Sequence, residues 1–145
     1  MQNIRIAKLY PQAVMPGRKH IEDAGLDIYA CQPALISPRS FDIVPTGITM
    51  EIPVGYVALI KPKSRNNHLL GAGVVDAGYQ GELLVKIFNP TDDALEIKPG
   101  DAIGQILLIP IITPSVQEIS LDEIHNKKTH RGTSGGIVSQ LNPKN

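Results

Sequence analysis

The chain has 145 residues, of which 42% are hydrophobic, and its 14 basic and 14 acidic residues give a formal net charge of zero. This length suits one domain and is too short for two independent cores. A neutral chain lacks the bulk charge typical of nucleic-acid-binding or membrane-surface proteins, so we expect no nucleic acid and no membrane as partner. The absence of a long apolar run and the single cysteine, Cys31, predict a cytoplasmic protein.

Glycine and proline interrupt the chain along its whole length. Thirteen glycines and twelve prolines separate short runs rich in Ile, Val and Leu. Such breakers nearly exclude long helices, whereas short apolar runs between turn residues are typical of a β-sandwich or β-barrel. The composition therefore predicts an all-β domain with at most one or two short helical turns.

The first half of the chain contains six predicted strands. Ala24–Ala30 shows the pattern best, because Leu26 and Ile28 alternate with Asp27 and Tyr29 as in a half-buried strand. Proline and glycine at 52–55 are turn chemistry, which predicts a hairpin between the last two strands. The six predicted strands lie in Ile4–Tyr10, Ala24–Ala30, Pro33–Arg39 (a short strand followed by a turn), Phe41–Val44, Thr46–Glu51 and Tyr56–Lys61.

The alternation stops at Pro62–Leu70, a polar and basic stretch that we interpret as a loop or one helical turn. Lys63, Ser64 and Arg65 supply two cations and a hydroxyl, which are donors suited to phosphate oxygens. In a surface loop, such residues are more often simply solvated. Their role stays open on these residues alone.

Gly71–Glu82, with the sequence GAGVVDAGYQGE, has the composition of a binding loop, because four glycines allow sharp turns and a close approach to a ligand. Val74 and Val75 predict a strand that returns through Leu83–Phe88 as a β-hairpin. Asp76 and Tyr79 would then lie at its tip. An aspartate in such a loop is either a turn residue that bonds its own backbone or a binding residue.

The last third contains three further predicted strands, at Leu95–Ile97, Ala102–Ile112 and Val116–Ile119, and a helical turn at Leu121–Ile124. Gln105 interrupts the apolar run of the second of these strands, so its amide needs partners in the core or in a ligand. From residue 126 onward the chain is polar and rich in glycine, the composition of a flexible tail.

Five stretches, in order, resemble the sequence motifs of the trimeric dUTP diphosphatase (dUTPase) family. They are Ala24–Ala30, Pro62–Arg65, Gly71–Glu82, Gly100–Gln105 and Arg131–Gly136. The resemblance implies an all-β, jelly-roll-like β-barrel or sandwich of the β-clip type, assembled as a homotrimer. It also implies a β domain over residues 1–125 and a glycine-rich tail, residues 126–145, that closes over the active site.

The same resemblance implies hydrolysis of dUTP to dUMP and diphosphate, which keeps uracil out of DNA and supplies dUMP for dTMP synthesis. Asp76 matches the carboxylate that orients and deprotonates the attacking water. Tyr79 matches the aromatic residue under the deoxyribose, and the backbone of Gly73–Val75 would pair with the uracil edge. The substrate-binding residues implied in this way are Lys63, Ser64, Arg65, Gly73, Val74, Val75, Tyr79, Gln105, Arg131, Gly135, Gly136 and Ile137.

Magnesium is the implied cofactor, held mainly by the substrate phosphates and water, so we expect no cluster of protein ligands for it. Asp27 matches a family position near the phosphates, where a structural role is an equal alternative. The four histidines have no spacing typical of a metal site and are interpreted as solvated or core residues; they are His20, His68, His125 and His130.

The chain departs from the family pattern at two of the motifs. Lys63 and Arg65 stand where arginine and glycine are usual, and the segment from Ser64 to Gly71 is a few residues shorter. Ile137 replaces an aromatic residue in the tail. These departures leave a catalytically impaired, nucleotide-binding regulatory trimer as an alternative, whereas a dCTP deaminase is disfavoured because Lys86 stands where that branch has its catalytic glutamate.

Overall fold

Eleven β-strands make up the secondary structure of residues 3–71, 73–125 and 127, which a computed structural model describes. These residues contain no helix, so the prediction of an all-β chain is confirmed, and none of their segments is a helix long and apolar enough to cross a membrane. The strands are β1 (Arg5–Lys8), β2 (Leu26–Tyr29), β3 (Ala34–Ile36), β4 (Phe41–Pro45), β5 (Ile48–Glu51), β6 (Tyr56–Lys61), β7 (Leu69–Leu70), β8 (Gly73–Val75), β9 (Leu84–Phe88), β10 (Leu95–Ile97) and β11 (Ala102–Pro110).

The strands form four antiparallel sheets. The largest has the order β2-β11-β6-β8, a second has the order β4-β9-β7, and two-stranded sheets pair β1 with β5 and β10 with β3. No two neighbours in these sheets are consecutive strands, as when β11 pairs with both β2 and β6. The largest sheet therefore brings together segments from the beginning, middle and end of the first 110 residues.

The core lies between these sheets and consists of aliphatic side chains at alternate strand positions. Ile106 lies opposite Ile60 across β11 and β6, and both are buried together with Ile28 of β2. Fully burying a side chain of this size contributes about 1.5–3 kcal/mol, so this face of the sheet holds the fold together. The residues between them, including Asp27 and Gln105, face the other way.

The predicted hairpin between Thr46–Glu51 and Tyr56–Lys61 is wrong. A turn does occur, with a hydrogen bond of 3.1 Å from the Tyr56 amide to the Pro53 carbonyl, and Gly55 has a φ of 86°. The turn passes the chain from one sheet to another, because β5 pairs with β1 whereas β6 pairs with β11 and β8. Both strands bury apolar side chains, and a pair joined by the turn alone would leave these exposed.

The predicted hairpin at Gly71–Glu82 is also wrong. Leu69 and Leu70 run alongside β9, and the Gly71 amide continues this pairing with a 2.9 Å bond to the Lys86 carbonyl. β8 then turns away to pair with β6. Gly73 allows this approach, because a Cβ atom there would lie 2.7 Å from Cβ of Ile60. Asp76 and Tyr79 therefore lie in a connection between two sheets.

The chain divides into two compact units, Met1–Thr113 and Pro114–Asn145. In the second unit, residues 114–125 and 127 contain no strand, so the predicted strand Val116–Ile119 is wrong. Its apolar side chains have no neighbouring strand in the described part of that unit, and Val116 is 99% exposed. The helical turn predicted at Leu121–Ile124 is instead a hydrogen-bonded turn, closed by a 3.1 Å bond from the Glu123 amide to the Ser120 carbonyl.

Candidate active site

A polar row crosses one end of the largest sheet. Gln105 of β11 lies opposite Asp27 of β2 on one side and opposite Lys61 of β6 on the other. Directly opposed residues of antiparallel strands project from the same face, so the three polar side chains are neighbours on the face away from the core. β6 ends at Lys61, and the basic loop Pro62–Leu70 begins beside this row.

Side-chain contacts attach the start of the loop to the polar row of Asp27, Gln105 and Lys61. Lys63 forms an ion pair with the Asp27 carboxylate, and the two side chains are only 25% and 18% exposed. The Gln105 side-chain amide donates a 3.1 Å hydrogen bond to the Pro62 carbonyl. The structure thus brings together Asp27, Lys63 and Gln105, which the sequence motifs associated with phosphate binding, and Asp27 has a structural partner in Lys63.

Ser64 and Arg65 occupy the turn that follows. A 3.0 Å hydrogen bond from the Asn66 amide to the Lys63 carbonyl closes this turn, and both side chains at its centre are exposed. Beyond the turn the His68 side chain is buried, with only 6% of it exposed, whereas its neighbours Asn67 and Leu69 are exposed. His68 is therefore a core histidine, as one of the two interpretations held.

A cavity of about 260 Å³ separates the loop from β8. Its lining includes Lys61 and Pro62 on one side and Gly73 and Val74 on the other. β8 is the edge strand of its sheet, and β6 is its one partner among the described residues, so the second edge of Gly73–Val75 offers backbone donors and acceptors to a ligand. Sequence analysis missed Lys61, although its alternation with Leu59 places both side chains on this face.

Asp76 follows β8 directly and begins a turn, closed by a 3.0 Å hydrogen bond from the Tyr79 amide to the Asp76 carbonyl. The Asp76 side chain is exposed. The Tyr79 hydroxyl donates a 2.7 Å bond to the Glu82 carbonyl, and the Glu82 carboxylate accepts a 2.7 Å bond from the Gly47 amide. These bonds fix the connection between the sheets against Gly47, the residue before β5, and neither bond involves the Asp76 carboxylate.

A second cavity, of about 530 Å³, lies on the other side of this connection, where Ala77, Tyr79 and Gln80 meet β1 and β5. An ion pair between Arg5 and Glu51 lies at its lining. The hydrogen bond from Arg5 lowers the pKa of the Glu51 carboxyl below its ordinary value, and the same bond raises the pKa of Arg5. Both pKa shifts favour the charged forms, which these two groups already have near neutral pH.

Not all of the predicted site residues meet within the described part of the chain. Asp76 lines neither of the two cavities, and no side-chain hydrogen bond or ion pair among residues 3–71, 73–125 and 127 joins it to Lys63, Ser64 or Gln105. The predicted tail residues fall outside the described residues; they are Arg131, Gly135, Gly136 and Ile137. The Lys86 ammonium lies 4.9 Å from the centre of the Phe41 ring, a cation–π contact.

Comparison with known proteins identifies the family. The dUTPase family model matches residues 11–137. The deoxyuridine 5'-triphosphate nucleotidohydrolase of Picosynechococcus sp. is 32% identical over 139 residues, covering 92% of this chain and 95% of the relative. That of Candida albicans is 34% identical over 138 residues, covering 92% and 86%.

A solved structure agrees with these relatives. The Staphylococcus bacteriophage 80alpha dUTPase with dUPNHPP has a TM-score of 0.84 and 25% identity, covering 94% of this chain and 97% of the phage chain. The predicted all-β, β-clip fold class is thereby confirmed. With a family model that spans most of its length and relatives that match nearly end to end, the chain belongs to the dUTPase family.

Proposed function

We propose that this chain is a dUTP diphosphatase, which hydrolyses dUTP to dUMP and diphosphate. Family membership supports this reaction, and one observation carries it to particular residues. An exposed carboxylate, Asp76, directly follows an edge strand that has no partner on one side among the described residues, and both precede the tyrosine at 79. The backbone of the strand can hydrogen-bond to a nucleobase, while the Asp76 carboxylate next to the strand acts on water.

In the proposed reaction, the Asp76 carboxylate takes a proton from a water molecule, because water is a poor nucleophile at neutral pH without a positioned base. The water oxygen forms a bond to the α-phosphorus as the bond from that phosphorus to the bridging oxygen breaks. Diphosphate leaves with the bonding electrons, and dUMP remains. The abstracted proton passes from Asp76 to solvent.

The basic loop Pro62–Leu70 and its neighbours would bind the substrate phosphates. Three side chains present donors that stabilise the charge of a triphosphate. They are Ser64 and Arg65, which are exposed in the turn, and Lys63, which lies beside Gln105. Lys63 enters this role with its charge already balanced by Asp27. The tail residues 126–145, with Arg131 at the terminal phosphate and Gly135, Gly136 and Ile137 over the nucleotide, would complete the site above the β domain of residues 1–125.

Magnesium fits this arrangement as an ion carried by the substrate. Among the described residues, no three His, Cys, Asp or Glu side chains gather into a ligand set, and the carboxylate of Asp27 is engaged by Lys63. Phosphate oxygens and water suit magnesium, which sheds water reluctantly. When bound, the ion would neutralise part of the triphosphate charge.

Selectivity for deoxyuridine would come from the strand and the tyrosine. The open edge of Gly73–Val75 offers fixed donors and acceptors to uracil, and cytosine, with the opposite pattern at that edge, would leave them unpaired. Tyr79 would pack under the deoxyribose. The deaminase alternative lacks its carboxylate, because Lys86 lies there with its ammonium over Phe41.

We further propose a cytoplasmic homotrimer. The outer face of the β4-β9-β7 sheet exposes apolar side chains at paired positions, namely Phe41 opposite Phe88 and Leu69 opposite Phe88. Exposed apolar patches of this kind mark association surfaces. A reducing compartment agrees with a buried, unbridged Cys31. Light scattering coupled to gel filtration would test the trimer.

The experiment that tests the function incubates the purified full-length chain with dUTP, dCTP, dTTP or UTP, each with magnesium. We expect diphosphate release from dUTP alone. Ammonia release from dCTP would instead indicate a deaminase. Binding of dUTP without release of diphosphate would identify the impaired regulatory trimer.

A further inference from the structure

The shortened loop Pro62–Leu70 covers a strand edge that β6 leaves open. β11 begins at Ala102, but its first pair with β6 joins Gln105 to Lys61, where β6 ends. On that side, no strand of the described residues pairs with the backbone of Ala102–Gly104. Its pairing with β2 is irregular in the same place, because the register shifts between Ala102 and Gly104. Buried carbonyl groups here need other donors.

Two side chains of the loop supply these donors. The Asn66 side-chain amide donates a 3.0 Å hydrogen bond to the Ala102 carbonyl, and His68 Nε2 lies 2.9 Å from the Ile103 carbonyl. Consecutive carbonyls of β11 are therefore bonded by residues two apart in the loop. Among the described residues, no buried side-chain nitrogen or oxygen is left without a partner, so these bonds are complete as they stand.

The Ile103 carbonyl determines the tautomer of His68. A carbonyl oxygen can only accept a hydrogen bond, so Nε2 of His68 carries the hydrogen. Asn66 Nδ2 lies 3.2 Å from the same nitrogen, and with hydrogens on both atoms this is a packing contact. The Asn66 amide is thereby directed to Ala102, and the two side chains act as one anchor.

The loop is tight at both of its ends. At its start, Gln105 bonds the Pro62 carbonyl at 3.1 Å. At its end, Leu70 packs closely on β11, because a Cβ atom at Gly104 would lie 3.0 Å from Leu70 Cδ1. Between these points Ser64 and Arg65 form the exposed turn. Besides the ion pair of Lys63 with Asp27 on β2, these fixed points of the turn lie on β11, the strand that carries Gln105.

We propose that His68 and Asn66 are positioning residues for the phosphate-binding turn, which they hold at the height of Gln105 so that Ser64 and Arg65 face the substrate triphosphate. The inference rests on the proposed function. With few residues between Ser64 and Gly71, side-chain bonds to β11 replace the support that a longer segment would give. Neither residue touches the substrate itself.

The test compares two ligands on the same variants. A non-hydrolysable dUTP analogue needs the turn, whereas deoxyuridine, which has no phosphate, does not. In His68→Leu, we expect about a tenfold loss of affinity for the analogue, because one bond is lost and a buried carbonyl is left unpaired. Affinity for deoxyuridine should not change. His68→Gln keeps a donor at a similar distance and should retain most of the analogue affinity.

His20→Leu is the matched control, since His20 is exposed and far along the chain from the loop. If His68→Leu does not fold, Asn66→Ala should show the same selective loss. Equal losses for both ligands, no loss for either, or a His68→Gln as weak as His68→Leu would each overturn the inference.

The proposed function can fail separately. A wild-type chain that binds the analogue tightly but releases no diphosphate from dUTP would refute hydrolysis, while the affinity ratios would still decide the role of His68. A wild-type chain that binds the analogue no more tightly than deoxyuridine would overturn both.

Discussion

Lys63 and Asp27 form a partly buried ion pair that joins the loop Pro62–Leu70 to β2. The Lys63 and Asp27 side chains are about three-quarters and four-fifths covered, so each would lose the one charged partner it has among the described residues, in a medium less polar than water, if the other were removed. The pair also joins two of the five sequence motifs. We therefore expect it to matter more for stability than the exposed pairs of this chain.

A double-mutant cycle measures the contribution of this ion pair to stability. Asp27→Ala and Lys63→Ala should each lower the free energy of unfolding, and the double variant should lose less than their sum by about 1 kcal/mol. Urea unfolding gives the values. The control cycle uses Arg39 and Asp92, an ion pair with exposures of 63% and 85%, where the coupling should be near zero. Equal couplings in both cycles would contradict the structural role of Asp27.

Gly25 restricts the position of the Gln105 side chain. A Cβ atom at Gly25 would lie 2.2 Å from Oε1 of Gln105, so Gly25→Ala must displace the amide that bonds the Pro62 carbonyl. We expect a loss of about 1–3 kcal/mol in unfolding free energy, together with slower dUTP hydrolysis. Gly17→Ala is the matched control, because a Cβ there meets no atom within 4 Å. Identical behaviour of the two variants would show that Gln105 has room to move.

The positions of individual strands can be predicted from the sequence, whereas their pairing cannot. β6 and β10 have the predicted bounds, and the alternation at Ala24–Ala30 gave the buried face of β2 correctly. Both hairpins failed, because a periodic pattern reports which face is buried and not which strand lies alongside. β8 pairs with β6 on account of the close contact at Gly73, which is a property of two distant segments.

In the candidate site, too, some residues can be predicted from the sequence, and their contacts are visible only in the structure. The sequence motifs proposed Asp27, Lys63 and Gln105 as site residues, and the structure brings the three together. His68 could not be assigned from its surroundings in sequence, since its partner, the Ile103 carbonyl, is a backbone group of a strand 35 residues away. Backbone acceptors carry no residue signature, so the anchors of a loop are visible only in three dimensions.

Tyr79 offers a test of sugar selectivity. Its hydroxyl bonds the Glu82 carbonyl at 2.7 Å, so the ring and the hydroxyl have separable roles. Tyr79→Ala removes the surface proposed to lie under the deoxyribose, and the ratio of UTP to dUTP hydrolysis should rise. Tyr79→Phe keeps the ring, so the ratio should stay low while stability falls by about 0.5–1.5 kcal/mol for the lost bond. A Tyr79→Ala variant that still refuses UTP would remove the ring from this role.

The tail can be tested by truncation at Arg131. We expect the shortened chain to fold with the unfolding midpoint of the full chain, because the core cluster lies within the first 113 residues. Its kcat/KM for dUTP should nevertheless drop strongly, since the proposed contacts of Arg131 and Ile137 are lost. Arg131→Ala in the full chain removes the charge and keeps the rest of the tail, so it separates their contributions to kcat/KM. Unchanged kinetics in both variants would show that residues 126–145 take no part in the site.

Asp76 is the residue on which the proposed chemistry depends. Asp76→Asn is nearly isosteric and keeps the turn, which is closed by backbone atoms of Asp76 and Tyr79, but an amide cannot take a proton from water. Removing a general base costs about 10²- to 10⁴-fold in rate, so kcat should fall by that factor while affinity for the dUTP analogue stays unchanged.

Asp42→Asn is the control for the loss of one carboxylate, because Asp42 is exposed on β4 in a separate sheet. Its kcat should match that of the wild type. If Asp76→Asn retained full turnover, another group would have to activate the water. Among the described residues, the carboxylate next along the chain, Glu82, accepts a hydrogen bond from the Gly47 amide and is half-buried, so its orientation is already committed to the fold.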